Sequence, residues 1–153
     1  MTVTGAAFPE ARLSIVTLGV KDRAAMTAFY ETVIGFKNVG PEGMTMFDMG
    51  GFILGLWGDE DLAKDAGLTG GRPAGFNGVA LAYNARSIEE VNEIFARLEA
   101  HEVRITQAPH KAFWGGYSGY FTDPEGNAWE VAFNPFWTFD ENGRVVLPAG
   151  ETA

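Results

Sequence analysis

The sequence predicts an α+β fold in which one β-α-β-β-β unit is written twice. Three observations carry this reading. The β-rich run RLSIVTLGV (12–20) passes at Lys21-Asp22 into apolar residues at helical spacing. FNGVALAYNA (76–85) passes in the same way into a second such stretch. Each pair is followed by short β-rich runs punctuated by glycine turns. The match lies in element order rather than identity, with LGVKDRAAMTAFY and LAYNARSIEEVNEIF aligning as strand end, turn and helix.

Taken in order, residues 1–11 read as a loose N-terminal arm, and the first unit spans 12–58. Asp22 is a good helix N-cap, because its carboxylate can accept from the orphan backbone N–H groups of the first turn. Ala25, Met26, Phe29, Tyr30, Val33 and Ile34 then recur on one helical face, and Gly35 supplies the stop. FKNVG (36–40) reads as a strand leading to the turn Pro41-Glu42-Gly43. MTMFDM (44–49) and FILGLWG (52–58) form a hairpin about Gly50-Gly51. Residues 59–75, polar and glycine-rich at their end, read as a connector with room for one helical turn at most.

The second unit spans 76–136. Ser87 and Glu90 form an S-x-x-E capping box, followed by Ile88, Val91, Ile94, Phe95 and Leu98 on one helical face. VRITQAP (103–109), GGYSGYFTD (115–123) and NAWEVAFNPF (127–136) supply strands, the last two joined by the turn Asp123-Pro124-Glu125-Gly126. The tail, 137–153, is polar except for Val145-Val146-Leu147, and Asn142-Gly143 suggests a closing hairpin turn. The whole is a single domain. Each half has a helix for one face of its sheet only, so the remaining faces must cover each other or leave a cleft. Such a cleft is a natural small-molecule site.

Composition narrows the function. With no cysteine, disulfides, zinc–thiolate sites and a cysteine nucleophile are excluded. No apolar run reaches the roughly 18 residues of a membrane-spanning helix, and the first residues lack the pattern of a secretory signal, so the expected location is cytoplasmic. The formal net charge of −9 repels phosphate backbones, so the expected partner is a small molecule and neither nucleic acid nor membrane. No P-loop or dinucleotide fingerprint is present, and GGYSGYF lacks the second glycine of G-x-S-x-G because position 120 is Tyr.

The segments VTLGVKDRAAMTAFYETVIGF, GGFILGLWG, RSIEEVNEIFARLEAHEVRI and YFTDPEGNAWEVAF resemble the vicinal oxygen chelate superfamily, which includes glyoxalase I, fosfomycin-resistance transferases, extradiol dioxygenases and bleomycin-resistance proteins. The resemblance covers roughly residues 12–136. It implies two tandem βαβββ modules forming incomplete barrels around a cleft, and a homodimer. It also implies a divalent metal held by residues of the first and last strands of each module. Carried over one at a time, those positions are Ile15, Gly55, Gly78 and Glu130. Only Glu130 keeps a ligand, whereas zinc and iron sites take about three protein ligands. No metal or other cofactor is therefore expected. The two histidines offer no replacement: His101 ends an amphipathic helix, and His110 is placed in a surface loop, where its alternative role is an acid/base group swung over the cleft.

Strand alternation sorts the cleft lining. With Glu130 turned inward, Ala128, Ala132 and Asn134 share its face and Trp129, Val131 and Phe133 face the helices. Thr17, Trp57, Trp114, Tyr117, Tyr120 and Glu130 are the candidate ligand-binding residues, with Phe113 a further wall. Two readings of Glu130 stand. In the first, it is the candidate catalytic acid/base or ligand anchor of a mostly apolar cleft, where desolvation would raise its pKa. In the second, it bonds a neighbour such as Tyr120 and is structural. Two functions follow. One is a glyoxalase/bleomycin-resistance-like protein that binds a small, partly aromatic or cationic molecule without the usual metal. The other is a lyase, isomerase or dioxygenase of the same superfamily with a divergent metal site.

Overall fold

The computed structural model describes residues 5–69 and 71–148; the first four residues of the arm, Gly70 of the connector and the last five residues of the tail lie outside the described residues. The chain is mixed α+β, with the two expected units and no closed barrel. In the first unit β1 (Ile15–Val20) runs parallel to β3 (Ile53–Gly58), which pairs antiparallel with β2 (Thr45–Asp48), giving the order β1-β3-β2. In the second unit the order is β4-β7-β6-β5, from β4 (Ala80–Ala85), β5 (Ile105–Lys111), β6 (Tyr117–Thr122) and β7 (Ala128–Phe133). The first and last strands of each unit are thus parallel neighbours.

The helix signals act as their chemistry demands. Asp22 caps α1 (Arg23–Phe29) by accepting from Ala25 N–H at 3.0 Å. The helix widens into a π turn at Tyr30–Ile34 and stops at Gly35, whose φ of +88° is strained for any other residue. Ser87 Oγ accepts from Glu90 N–H at 3.1 Å to start α3 (Ile88–Ala100). The Glu90 carboxylate reaches back to the Arg86 N–H rather than to that of Ser87, one residue beyond the expected box.

Four expectations are corrected. Residues 36–40 form no strand beyond a single bridge between Asn38 and Phe47, because the Asn38 side-chain oxygen takes the Gly40 and Met46 N–H groups and folds the segment back on itself. The connector contains a helix, α2 (Asp59–Asp65). β4 begins at Ala80 rather than 76, and Gly78 lies ahead of it with φ +84°. His110 sits in strand β5 opposite Ser118, not in a loop, with Nδ1 3.0 Å from the Ala108 carbonyl. The tail hairpin forms as its Asn-Gly suggested, pairing β8 (Thr138–Phe139) with β9 (Val145–Val146), and the Arg86 guanidinium lies 4.7 Å from the Phe139 ring centre.

One apolar core serves both units. Val20, Met26, Tyr30, Phe47, Leu54 and Leu56 from the first unit join Val91, Phe95, Phe121, Trp129 and Val131 from the second. Rings bridge the seam, with Tyr30 and Phe36 about 6 Å from Trp129. All of this lies on the helix-covered side of the sheets. The opposite, open faces are more exposed, with Ile15 and Thr17 exposed on the first and Tyr120 and Glu130 half-buried on the second, although Ser118 and Ala132 on that face are buried. α2 lies across the end of the first: a Cβ on Gly19 would stand 3.1 Å from Asp59 Cβ and 3.4 Å from a Leu62 methyl.

Candidate functional site

Glu130 is on the open face of the second sheet, as alternation predicts, with Trp129 and Val131 buried on the helix side. Its neighbours follow from the register. Ala82 of β4 stands opposite it on one side and Tyr120 of β6 on the other, and Gln107 of β5 lies beyond Tyr120. Glu130 and Tyr120 are both half-buried. Partial burial raises the Tyr120 phenol above its ordinary range, and the adjacent Glu130 carboxylate raises it further. Tyr120 therefore stays a proton donor beside an acceptor.

The other candidates divide. Thr17 and Trp57 lie on the open face of the first sheet, where Thr17 stands opposite Gly55 and Trp57 opposite Gly19. Trp114 folds back over Gly116, where an added Cβ would collide with its ring. Phe113 is fully exposed at the hairpin tip. Tyr117 is on the helix side, its hydroxyl donating to Asn92 Oδ1 of α3 at 2.8 Å, so it does not share a face with Glu130.

In the sheets Ala82 stands opposite Glu130 and Thr17 opposite Gly55, so the carried-over positions Gly78 and Ile15 are not the direct cross-strand neighbours of these two residues. Steps of two along either first strand reach Ile15, Gly19, Ala80 or Asn84. None of these side chains carries a carboxylate or imidazole. Among the described residues no three His, Cys, Asp or Glu groups converge. A lone carboxylate does not fit a zinc or iron site.

The loop TDPEGN, which precedes Glu130, has a role the sequence did not disclose. The buried Asp123 carboxylate accepts four hydrogen bonds: from the Tyr30 hydroxyl (2.7 Å), Asn127 Nδ2 (2.6 Å), Asn127 N–H (2.9 Å) and Glu125 N–H (3.0 Å). That fills its lone pairs and offsets its desolvation. Trp129 Nε1 donates to the Tyr30 oxygen at 2.9 Å. Glu125 accepts from the Lys21 and Asp22 N–H groups at 2.7 and 2.9 Å. Arg72, from the connector, donates to the Gly19 carbonyl (3.0 Å), the Glu125 carbonyl (3.3 Å) and Asn127 Oδ1 (2.6 Å). The signature residues Asp22, Tyr30, Asp123, Asn127 and Trp129 are thus a clamp between the two units, which places β7 and its Glu130.

Residues 12–131 match the glyoxalase/bleomycin resistance protein/dioxygenase superfamily, and the chain belongs to it. A glyoxalase-related enzyme from Fulvimarina pelagi is 32% identical and superposes with a TM-score of 0.81 over 90% of this chain and 99% of that one. A lactoylglutathione lyase from Agrobacterium tumefaciens is 28% identical, with a TM-score of 0.69 over 86% of this chain and 100% of that one. A family member from Nocardioides is 25% identical, with a TM-score of 0.73 over 83% and 85% of the two chains. No curated protein matches the chain.

Proposed function

We propose that the protein binds a small organic molecule on the open face around Glu130 and Tyr120, without the metal usual in its family. The observation that supports this reading is the register: the residues beside Glu130 and Gly55 in the sheets are Ala82 and Thr17, neither of which offers a carboxylate or an imidazole. What remains is an acceptor, Glu130, beside a protonated phenol, Tyr120. This pair suits a ligand with a hydrogen-bond donor or cationic group, and the Tyr120 ring suits a flat portion of it. The reading takes a homodimer as the working form, since Ile15 on the open face of the first sheet is 47% exposed and a second copy would cover it.

A second reading is favoured by the same pair and by the names of two relatives, one a glyoxalase-related enzyme and one a lactoylglutathione lyase. In it Glu130 shuttles a proton on a bound substrate and Tyr120 donates to the developing charge. The deciding experiment is elemental analysis of the purified protein before and after incubation with Zn²⁺, Ni²⁺, Mn²⁺ or Fe²⁺ and desalting. The expected result is far less than one metal per chain in every case. About one tightly held metal per chain, lost in Glu130→Gln, would sink the metal-free reading.

A further inference from the structure

The chain is strongly acidic, with 20 Asp and Glu against 11 Lys and Arg. One recess reverses that balance. Its volume is about 680 Å³, and it lies between the loop that follows α2 and the open face of the second sheet. Lys21, Arg72 and Arg104 line it, and among the described residues Glu125 is its only carboxylate.

The charges within it are unequal in availability. Glu125 is committed, its two oxygens held by backbone N–H groups of Lys21 and Asp22. Arg72 is committed too, its guanidinium spread over two carbonyls and Asn127 and lying 3.9 Å from Glu125. Lys21 and Arg104 are exposed and form no ion pair among the described residues. Thr106 and Thr122 line the same space. Two cations free of ion pairs, with two threonines beside them, around one recess are the complement of a carboxylate or phosphate group.

The sheet register fixes where such a group would lie relative to Glu130. Thr122 and Ala128 line the recess and stand opposite each other, as do Tyr120 and Glu130. The two rows are two residues apart on one face, about 7 Å along the strands. We infer that the recess of Lys21 and Arg104 binds the anionic end, carboxylate or phosphate, of the molecule whose other end meets Tyr120 and Glu130. This rests on the site proposed above and adds a polarity to it. The ligand carries an anion at one end and, about 7 Å away, a cationic or donor group, because a second anion beside Glu130 would be repelled.

The test uses the full-length protein and simple probes at constant ionic strength. Inorganic phosphate and malonate are titrated while the backbone amide resonances of Lys21, Arg104 and Thr122 are followed, with sodium chloride as the reference anion. Saturable shifts are expected, with affinity at least tenfold weaker in Arg104→Glu and in Lys21→Glu, and unchanged or stronger in Glu130→Gln. Shifts no different from those with chloride, or indifferent to both charge reversals, would overturn the proposal. Denaturation midpoints of the variants check that the fold is intact. An ω-amino acid series of increasing length then separates the two sites. Tightest binding near a 7 Å span, lost in Glu130→Gln, joins them. Phosphate binding with no length optimum would uphold the recess and count against the Glu130 end alone.

Discussion

The Tyr30 hydroxyl donates to Asp123 Oδ2 at 2.7 Å, tying the end of the first helix to the turn between β6 and β7 across 93 residues of sequence. The same oxygen accepts from Trp129 Nε1 at 2.9 Å, so one phenol satisfies a buried carboxylate and a buried indole together. Tyr30→Phe keeps the ring packing and removes both bonds. It is expected to cost about 1–3 kcal/mol, read as a lower urea midpoint with an unchanged slope. A variant as stable as the parent would show that the clamp contributes nothing.

Tyr30 also sets an alkaline limit. Burial, then the Asp123 carboxylate, holds its phenol far above the ordinary tyrosine range. The unfolded chain ionises this group near pH 10 while the folded chain does not. Its contribution is therefore complete below about pH 10 and is lost as pH rises above that value. Stability should fall by about 1 kcal/mol between pH 10 and 11 for this residue, and Tyr30→Phe should remove that fall in denaturation curves over the same range.

Arg72 closes the clamp from the connector. Arg72→Met retains most of the side chain's apolar stem but frees the Gly19 and Glu125 carbonyls and Asn127. A loss of about 1–3 kcal/mol is expected, with faster amide exchange at Gly126 and Asn127 as the local signature.

Glu130 is expected to behave oppositely. Glu130→Gln and Tyr120→Phe should shift the denaturation midpoint by no more than about 0.5 kcal/mol, yet remove the length optimum in binding of the bifunctional ω-amino acid probes. If either variant unfolds the protein, Glu130 is a structural partner of Tyr120 rather than a site residue.

Gly19 tests how the connector helix is seated. A Cβ there meets Asp59 Cβ at 3.1 Å and Cα at 3.2 Å. Gly19→Val should lift α2 from the end of β1, costing about 1–3 kcal/mol, and expose residues 59–65 to limited proteolysis.

Much of the fold was legible because its signals are local. Asp22, Gly35, Ser87 and Gly50-Gly51 act on groups within a few residues, so caps and turns could be read directly. The strand at FKNVG failed because the Asn38 side chain competes for the Met46 N–H that a ladder would need. Within the site, alternation placed Glu130 correctly. The same rule separates Tyr117 from Tyr120, which stand an odd number of positions apart and cannot share a face of one strand. Grouping them by composition hid that.

By itself, the sequence determined the doubled unit, the sign of the net charge and the absence of thiol chemistry, since these follow from residue identity and short-range periodicity. Tertiary structure alone decided that TDPEGN is a clamp, that Ala82 and Tyr120 flank Glu130, and that Lys21, Arg72 and Arg104 line one recess. Those relationships join segments far apart in the chain. Parallel pairing of first and last strands and burial of a shared core bring them together, and neither the register nor the seam is encoded within any single segment.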